Sequence, residues 1–236
     1  MMIPVLDLGV CPYEPVQRLQ ATLRDAVGDR AIPGVLLLLE HTPVITLGSR
    51  GSDADLICGG GLSGQDIPVL RSERGGAATL HAPGQLVCYP VVPLPRQDLR
   101  AFVAGLEATL IDLLAPLGVA AQRKPGAPGL YVSDRKIASV GLRCRRWVAS
   151  HGTSLNVTVD LGLFDRIVSC GEAGLAQTSV LAETGEAPPM DELKSGYVRA
   201  FERVFPFRAG RLERSDHREV LERLGVNTME PDRSRS

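Results

Sequence analysis

Apolar residues recur at two spacings along the chain, and each spacing predicts a different kind of element. In residues 14–28 the apolar positions lie three and four residues apart, which is typical of an amphipathic helix. The same spacing predicts helices over residues 99–115, 190–205 and 217–224. Pro116 and Gly118 end the second of these helices, since neither residue readily continues one.

Short apolar or alternating runs predict the strands. Residues 34–40 form a continuous apolar run, which we interpret as a strand buried on both faces. An extended segment follows Pro43, and further strands are predicted over residues 67–73, 85–92, 130–132, 136–144 and 147–159. Strands outnumber helices in mixed order. We therefore predict a single α/β or α+β domain whose helices pack on a mixed β-sheet.

Glycine, proline and polar residues predict the connections. Residues 74–84 are predicted as a loop, in which Gly75 and Gly76 permit positive φ and let backbone N–H groups approach a ligand. Residues 48–60 and 124–129 are predicted as two more loops. Residues 227–236 form a polar tail that we expect to be mobile, which leaves residues 1–226 as the domain.

Composition narrows the function classes. The 236 residues include 26 basic and 27 acidic side chains, a balance that excludes a globally polyanion-binding protein. No apolar run reaches the roughly 18 residues that span a bilayer. The N-terminus lacks the basic start and cleavage site of a signal peptide. We expect a soluble, cytoplasmic protein.

The cysteines are odd in number, widely spread and without a CxxC pair; they are Cys11, Cys58, Cys88, Cys144 and Cys170. This pattern argues against a disulfide framework and against a zinc ribbon, so free thiols in a reducing compartment are expected. The histidines show no paired ligand spacing, and no metal site is predicted.

Cys170 and Lys136 are the leading candidates for chemistry. Cys170 comes just after an apolar pair and before Gly171, which lets the chain turn sharply; we expect that turn to leave backbone N–H groups free for an oxyanion. Lys136 begins a strand whose same-parity neighbours are apolar, so its side chain is expected to need a partner. If the neighbouring segments pair, the ammonium beside the thiol favours the nucleophilic thiolate. The alternatives are a buried, inert cysteine and a lysine that reaches water.

Other polar residues carry two interpretations each. His81 and His151 lie in glycine-flanked loops. Each is interpreted either as a general base or as a histidine that stabilises its loop. Arg74 either holds an anion or orders its own loop. Arg143 and Arg145 are opposite in parity to Lys136 along the predicted strand, and their simplest interpretation is a solvated face. The alternative is a docking patch for an acidic partner protein.

Five short motifs occur in order between residues 36 and 182. They are His41-Thr-Pro-Val-x-Thr-x-Gly48, Arg74-Gly-Gly-x-x-Thr-x-His81-x-Pro-Gly-Gln85 with Tyr89-Pro90, Lys136-Ile-Ala-x-x-Gly141, His151-Gly-x-x-Leu-Asn156 and Cys170-Gly171. With these motifs the chain resembles the octanoyltransferases of lipoate biosynthesis, a family related in fold to the biotin and lipoate protein ligases.

The resemblance implies a cytoplasmic acyltransferase that needs no cofactor and no metal. It implies that an octanoyl group moves from octanoyl-acyl carrier protein to one lysine of a lipoyl domain, through an acyl-cysteine intermediate. The implied acceptors are the lipoyl domains of 2-oxoacid dehydrogenase complexes and the glycine cleavage H protein. No nucleic acid or membrane partner is implied.

The resemblance also implies roles for individual residues. Cys170 is the nucleophile, and Lys136 is the residue that favours its thiolate. Substrate contacts are implied for Arg74, Gly75, Gly76, Ala77, Ala78, Thr79, Leu80, His81, Ser139, Val140, Gly141, Gly152, Thr153 and Ser154.

Two positions depart from the usual family pattern. Ser169 stands where a proline usually precedes the cysteine, which removes a fixed φ from the nucleophile's turn. Ala82 stands where a glycine usually follows the histidine, which costs strain if the turn needs positive φ. Two alternatives stay open: an ATP-dependent lipoate or biotin protein ligase, and a non-catalytic module that binds lipoyl domains or acyl groups.

Overall fold

Residues 1–57 and 67–226 are described by our computed structural model, so Cys58, part of the predicted loop 48–60 and the predicted tail 227–236 lie outside the described residues. The strands are β1 (Met2–Cys11), β2 (Val35–His41), β3 (Val44–Leu47), β4 (Val69–Arg71), β5 (Ala78–His81), β6 (Gln85–Val91), β7 (Gln122–Lys124), β8 (Ala127–Val132), β9 (Arg135–Arg145), β10 (Val148–Asn156) and β11 (Arg208–Arg214). The helices are α1 (Tyr13–Gly28), α2 (Leu99–Leu114), α3 (Val180–Thr184), α4 (Met190–Val204) and α5 (Val220–Arg223).

These strands form two sheets. The larger sheet has the order β11-β1-β2-β6-β10-β9-β8-β7, with β1 parallel to both of its neighbours and the other pairs antiparallel. The smaller sheet has the order β4-β3-β5. The predicted mixed sheet with packed helices is therefore confirmed.

The central strand β2 shows why the larger sheet sits inside the protein. Leu36 and Leu38 point into a core shared with α2 and α4, whereas Leu37 and Leu39 point into a second core shared with α1. All four side chains are fully buried. The continuous apolar run thus forms a strand covered by helices on both faces, as predicted.

Several elements differ from the sequence predictions. The predicted loop 74–84 contains β5, whose residues pair with β3, and the predicted loop 124–129 contains the turn between β7 and β8. The strands β1, β7 and β11 and the short helix α3 were not predicted. β11 carries arginines at three of its seven positions, and it becomes a strand because the parallel edge of β1 supplies its hydrogen bonds.

A buried carboxylate joins three distant elements. Asp7 of β1 accepts hydrogen bonds from Lys194 Nζ of α4 at 2.8 Å, from Arg214 Nη1 at the end of β11 at 2.9 Å and from the Gly9 N–H at 2.8 Å. Burial alone raises the pKa of Asp7, but these hydrogen bonds and positive charges outweigh burial, and the net pKa is lowered. The carboxylate therefore fastens α4 and the end of the edge strand β11 to β1.

None of the helices in the described part of the chain is both long and apolar enough to cross a membrane.

Candidate active site

A cavity of about 510 Å³ lies where the smaller sheet meets β9 and β10, a volume within the usual range of about 300–1,000 Å³ for small-molecule sites. Cys170 and Lys136 both line it. The loop at Gly75 closes one side, because the Gly75 N–H donates to the Leu142 carbonyl of β9 at 2.8 Å. The two sheets therefore meet through a backbone hydrogen bond at the cavity wall.

Lys136 and Cys170 are in direct contact. Lys136 Nζ lies 3.1 Å from Cys170 Sγ and donates to the Pro128 carbonyl at 3.2 Å. The amine also lies 5.3 Å from the centre of the Tyr131 ring. Burial lowers the pKa of Lys136, but the charge and hydrogen bond of the Cys170 thiolate, assisted by Tyr131, outweigh burial and leave the pKa of Lys136 raised.

An irregularity in the sheet aims the lysine into the cavity. Leu130 pairs with Ala138, but the next residue, Tyr131, pairs with Lys136, so Ile137 is an extra residue in β9. Both Ile137 and Ala138 are buried in the core, whereas simple alternation would place only one of them there. The expected parity of Lys136 with its strand neighbours is therefore broken at this bulge.

Cys170 lies in a tight turn with a left-handed backbone conformation, φ 58°. Its N–H donates to the Ala78 carbonyl at 2.9 Å, the Gly171 N–H to Val168 at 3.2 Å, and the Glu172 N–H to Ser169 at 3.0 Å. The prediction that this turn leaves N–H groups free for an oxyanion is therefore wrong. The turn uses these donors to fix its own backbone.

Both departures from the family pattern are accommodated. Ser169 forms a parallel bridge with Ala78, and its Oγ accepts from Gln177 Nε2 at 3.2 Å, so contacts replace the constraint that a proline supplies. Ala82 is absent from the positive-φ residues of the described chain, so it carries no left-handed strain.

The glycine loop, residues 74–77, contains two backbone N–H groups without an acceptor. Within the described residues, the N–H groups of Gly76 and Ala77 donate no hydrogen bond, and both residues line the cavity. Arg74 orders this loop: its guanidinium donates to the carbonyls of Gly75 and Ala77 and to Thr46 at distances of 2.6 to 3.0 Å. These contacts favour the interpretation that Arg74 orders its own loop over the interpretation that it holds an anion.

A chain of amides fixes the tautomer of His81. Asn156 Nδ2 donates to the Thr178 carbonyl at 2.9 Å, which leaves Asn156 Oδ1 to accept from Gln85 Nε2 at 2.9 Å. Gln85 Oε1 then faces His81 Nδ1 at 3.1 Å, so Nδ1 carries the proton. Burial, together with nearby cationic and histidine groups, holds the pKa of His81 well below 6.5. His81 is therefore a neutral ring whose unprotonated Nε2 can accept a hydrogen bond.

The other two histidines near the cavity are also neutral. His41 is fully buried between the Cys11 carbonyl and the Tyr89 hydroxyl, each at 3.0 Å, and burial lowers its pKa to about 4. His151 lines the cavity with φ 58°, and burial, assisted by nearby arginines, lowers its pKa to about 3. Neither ring is set up as a base at neutral pH.

Two comparisons with known proteins agree with this site. A family model described as "Lipoyl protein ligase A/B catalytic domain" matches residues 12–202. The octanoyltransferase of Nitratidesulfovibrio vulgaris is 41% identical over 205 residues, which cover 85% of this chain and 94% of the relative. The octanoyltransferase of Methylococcus capsulatus is 44% identical over 203 residues, covering 84% and 94%. The chain belongs to the octanoyltransferase family.

A solved structure of lipoate-protein ligase A bound with ATP superposes on this chain with a TM-score of 0.73 at 15% identity, covering 94% of this chain and 93% of the other. At that identity the likeness shows the fold alone. The predicted lipoate protein ligase-like fold is therefore confirmed. The resemblance to the octanoyltransferases, on which that prediction was based, is confirmed as well.

The cavity of this octanoyltransferase-family chain is lined by every predicted site residue except Leu80. Leu80 is fully buried in the core under the smaller sheet, because alternation along β5 directs its neighbours Thr79 and His81 to the cavity instead. Leu80, for which the resemblance implies a substrate contact, therefore does not line the cavity.

Sequence reasoning also missed part of the lining. Pro128 and Tyr131 of β8 contact the lysine, and Leu99 and Val103 of α2 form an apolar wall. β8 starts inside a segment whose prolines and glycines predicted a loop, and Leu99 and Val103 were predicted only as part of a helix, without a role in a site. Among the described residues, no three His, Cys, Asp or Glu side chains are grouped to hold a metal ion.

Proposed function

We propose that the chain is an acyltransferase that moves an octanoyl group from octanoyl-acyl carrier protein to a specific lysine of lipoyl domains. The observation that carries this proposal is the contact of 3.1 Å between Lys136 Nζ and Cys170 Sγ inside a cavity of about 510 Å³. Membership of the octanoyltransferase family supports the acyl group, and the dyad supports a covalent intermediate.

In the first step the Cys170 thiolate attacks the carbonyl carbon of the octanoyl thioester. The N–H groups of Gly76 and Ala77 are the proposed donors to the oxyanion, since the cysteine's own turn has none to spare. The carbon–sulfur bond to phosphopantetheine breaks, and the leaving thiolate takes a proton from the Lys136 ammonium. The products are an octanoyl-cysteine, a free phosphopantetheine thiol and a neutral Lys136.

The second step reverses the role of Lys136. Once Cys170 is acylated, its negative charge no longer supports the ammonium, whereas burial still favours the neutral amine. The acceptor lysine's neutral amine attacks the thioester, and Lys136 takes the proton that the nitrogen loses as the amide forms. Cys170 leaves as a thiolate, so the initial ion pair is restored and the protons balance.

The cavity offers separate surfaces to the two parts of the substrate. Leu99 and Val103 of α2, with Val140 and Leu142 of β9, form an apolar wall for the octanoyl chain. The polar side carries His81 and the glycine loop. We propose substrate contacts from all of the predicted substrate-binding residues that line the cavity, which leaves out Leu80.

The proposed acceptors are lipoyl domains of 2-oxoacid dehydrogenase complexes and the glycine cleavage H protein, and the proposed compartment is the cytoplasm. The proposed catalytic domain is residues 1–226. The exchange of one thioester for another is nearly balanced and the final amide is more stable. The proposed reaction therefore uses no nucleotide, metal, nucleic acid or membrane.

The test is intact-protein mass spectrometry after incubation with octanoyl-acyl carrier protein, with Cys170→Ala as the control. A hydroxylamine-sensitive gain of one octanoyl group, absent from the variant, is expected. Product formation only with ATP, without an adduct, would instead identify a ligase. No adduct and no product would leave a binding module.

A further inference from the structure

A buried carboxylate lies behind the active-site lysine without touching it. Glu107 of α2 is 7% exposed, and its Oε1 accepts a hydrogen bond from the Gly129 N–H of β8 at 3.0 Å. Its Oε2 accepts from Arg123 Nε at 3.0 Å, and Arg123 Nη2 donates to the Ala104 carbonyl at 2.9 Å. Both carboxylate oxygens are thus held in place by donors.

A single peptide group connects this carboxylate to Lys136. The Gly129 N–H and the Pro128 carbonyl belong to the same planar unit, and in a trans peptide they point in opposite directions. The N–H points to Glu107, and the carbonyl accepts from Lys136 Nζ at 3.2 Å. The plane cannot rotate without breaking one of these two hydrogen bonds.

The connection is electrostatic as well as geometric. A hydrogen bond to an ionised acceptor is stronger than a neutral one, and it polarises the donor peptide so that the carbonyl at the other end becomes a better acceptor. The Pro128 carbonyl thereby favours the ammonium form of Lys136, which is the form that stabilises the thiolate of Cys170.

Gly129 is the residue that makes this arrangement sterically feasible. Its φ is +120°, and a Cβ at this position would lie 2.4 Å from the Ala138 carbonyl oxygen and 2.9 Å from Lys136 Cε. Any side chain here would displace the lysine as well as strain the backbone.

We infer that Glu107 is a positioning residue for the proposed transfer reaction. It acts through the Pro128–Gly129 peptide to hold Lys136 as an ammonium against Cys170, an inference that rests on the proposed function of the dyad. A purely structural role would be to tie α2 to the β7–β8 hairpin, and that role predicts a change in stability without a change in thiol reactivity.

The test compares Glu107→Leu and Glu107→Gln with Asp112→Asn. Asp112 lies on the same helix as Glu107, and its substitution alters an exposed ion pair with Arg203 of α4. The readout is the pH profile of alkylation of Cys170 by iodoacetamide, followed on the Cys170 peptide by mass spectrometry. Loss of the carboxylate is expected to move the profile to higher pH and to slow alkylation at pH 7 by about tenfold, the equivalent of one charge-assisted hydrogen bond.

Glu107→Gln keeps one oxygen that can accept from Gly129 but loses the charge, so a smaller shift in the same direction is expected. This near-isosteric variant decides the matter if the leucine variant fails to fold. A profile of folded Glu107→Gln that superimposes on that of Asp112→Asn overturns the inference, even if the thermal stability has changed.

Transfer kinetics provide a second readout. A lower kcat with an unchanged KM for octanoyl-acyl carrier protein is expected for Glu107→Leu, because the carboxylate does not line the cavity. A change confined to KM would contradict the inference. Alkylation needs no octanoyl substrate. Failure of the wild type to transfer octanoyl would therefore refute the proposed function and leave the effect of Glu107 on the thiol measurable.

Discussion

Lys136 Nζ lies 3.1 Å from Cys170 Sγ, although 34 positions separate the two residues in the sequence. Lys136 lies near the start of β9, and the chain then runs through β10 before it returns to place the cysteine beside that start. A parallel bridge between Lys136 and Gln177 fixes the return. The contact is therefore set by backbone hydrogen bonds on both sides of the nucleophile's loop.

The first prediction separates the two proposed roles of Lys136. Lys136→Arg keeps a cation beside the thiol but cannot act as a base, so acyl-cysteine should form while its transfer to the lipoyl domain slows by about 10²–10⁴-fold. Single-turnover mass spectrometry should show accumulated octanoyl-enzyme. The matched control is Lys124→Arg, an exposed lysine near the same tyrosine ring, which should transfer normally. Full second-step activity in Lys136→Arg would refute the double role.

The second prediction concerns the tautomer of His81. The amide chain through Asn156 and Gln85 places the proton on Nδ1, and burial keeps the ring neutral. Long-range ¹H–¹⁵N correlation spectra should show a neutral, Nδ1-protonated ring from pH 8 to pH 5, with His217, outside the cavity, as the reference. A ring protonated on Nε2 would contradict the assignment and the conclusion that Nε2 is the acceptor nitrogen of this ring.

The third prediction is a loss of stability in acid. The pKa of buried His41 is lowered from 6.5 to about 4, so the unfolded chain binds a proton that the folded chain excludes. Stability is therefore fully present above pH 6.5 and falls as the pH drops toward 4, by roughly 3 kcal/mol for this histidine alone.

Urea unfolding at pH 7.5 and pH 4.5 measures this dependence. His41→Asn removes the titrating group while an amide nitrogen can still donate to the Cys11 carbonyl. The variant is expected to be less stable at pH 7.5 and to lose less stability on acidification. An equal loss in variant and wild type would show that His41 does not contribute.

The fourth prediction contrasts a buried ion pair with an exposed one. Lys194→Met leaves the Asp7 carboxylate buried without its ammonium and should lower the free energy of unfolding by about 3–5 kcal/mol. Arg203→Met removes the exposed pair with Asp112 and should cost only about 0–1 kcal/mol. Urea denaturation measures the free energy of unfolding of both variants. An equal loss of stability in the two variants would contradict the prediction that the buried pair contributes more to stability than the exposed one.

A double variant tests the cause of that loss. Asp7→Asn with Lys194→Met removes both charges, so most of the stability lost in Lys194→Met should return. If the double variant is as unstable as the single one, the lost energy comes from packing of the lysine stem rather than from the unpaired carboxylate.

The sequence predicted those elements whose apolar pattern is local. The run in β2 and the period of α1, α2 and α4 contain their own burial pattern, so these elements were predicted close to their observed bounds. β11 was missed because its arginines carry no strand pattern, and only the edge of β1 makes it a strand. The contact of Lys136 with Cys170 was predicted on the condition that their two segments pair; in the structure the residue before Cys170 bridges to Ala78 instead, and Gln177 bridges to Lys136.

The surroundings of the dyad were not predictable in the same way. The extra residue Ile137 changes which side chains face the cavity, and no periodicity signals a bulge. The contribution of Glu107 depends on the orientation of one peptide plane in β8, which is a tertiary relationship. The prediction of free N–H donors around Gly171 was wrong because the carbonyls of Val168 and Ser169 accept from the turn's own N–H groups, and the neighbouring Ala78 carbonyl accepts from Cys170.

The loop that carries Cys170 is fastened to both sheets. Ser169 bridges to Ala78 of the smaller sheet, and Gln177 bridges to Lys136 of the larger one. The loop therefore spans the junction of the two sheets, and the distance between sulfur and nitrogen depends on how one sheet packs against the other.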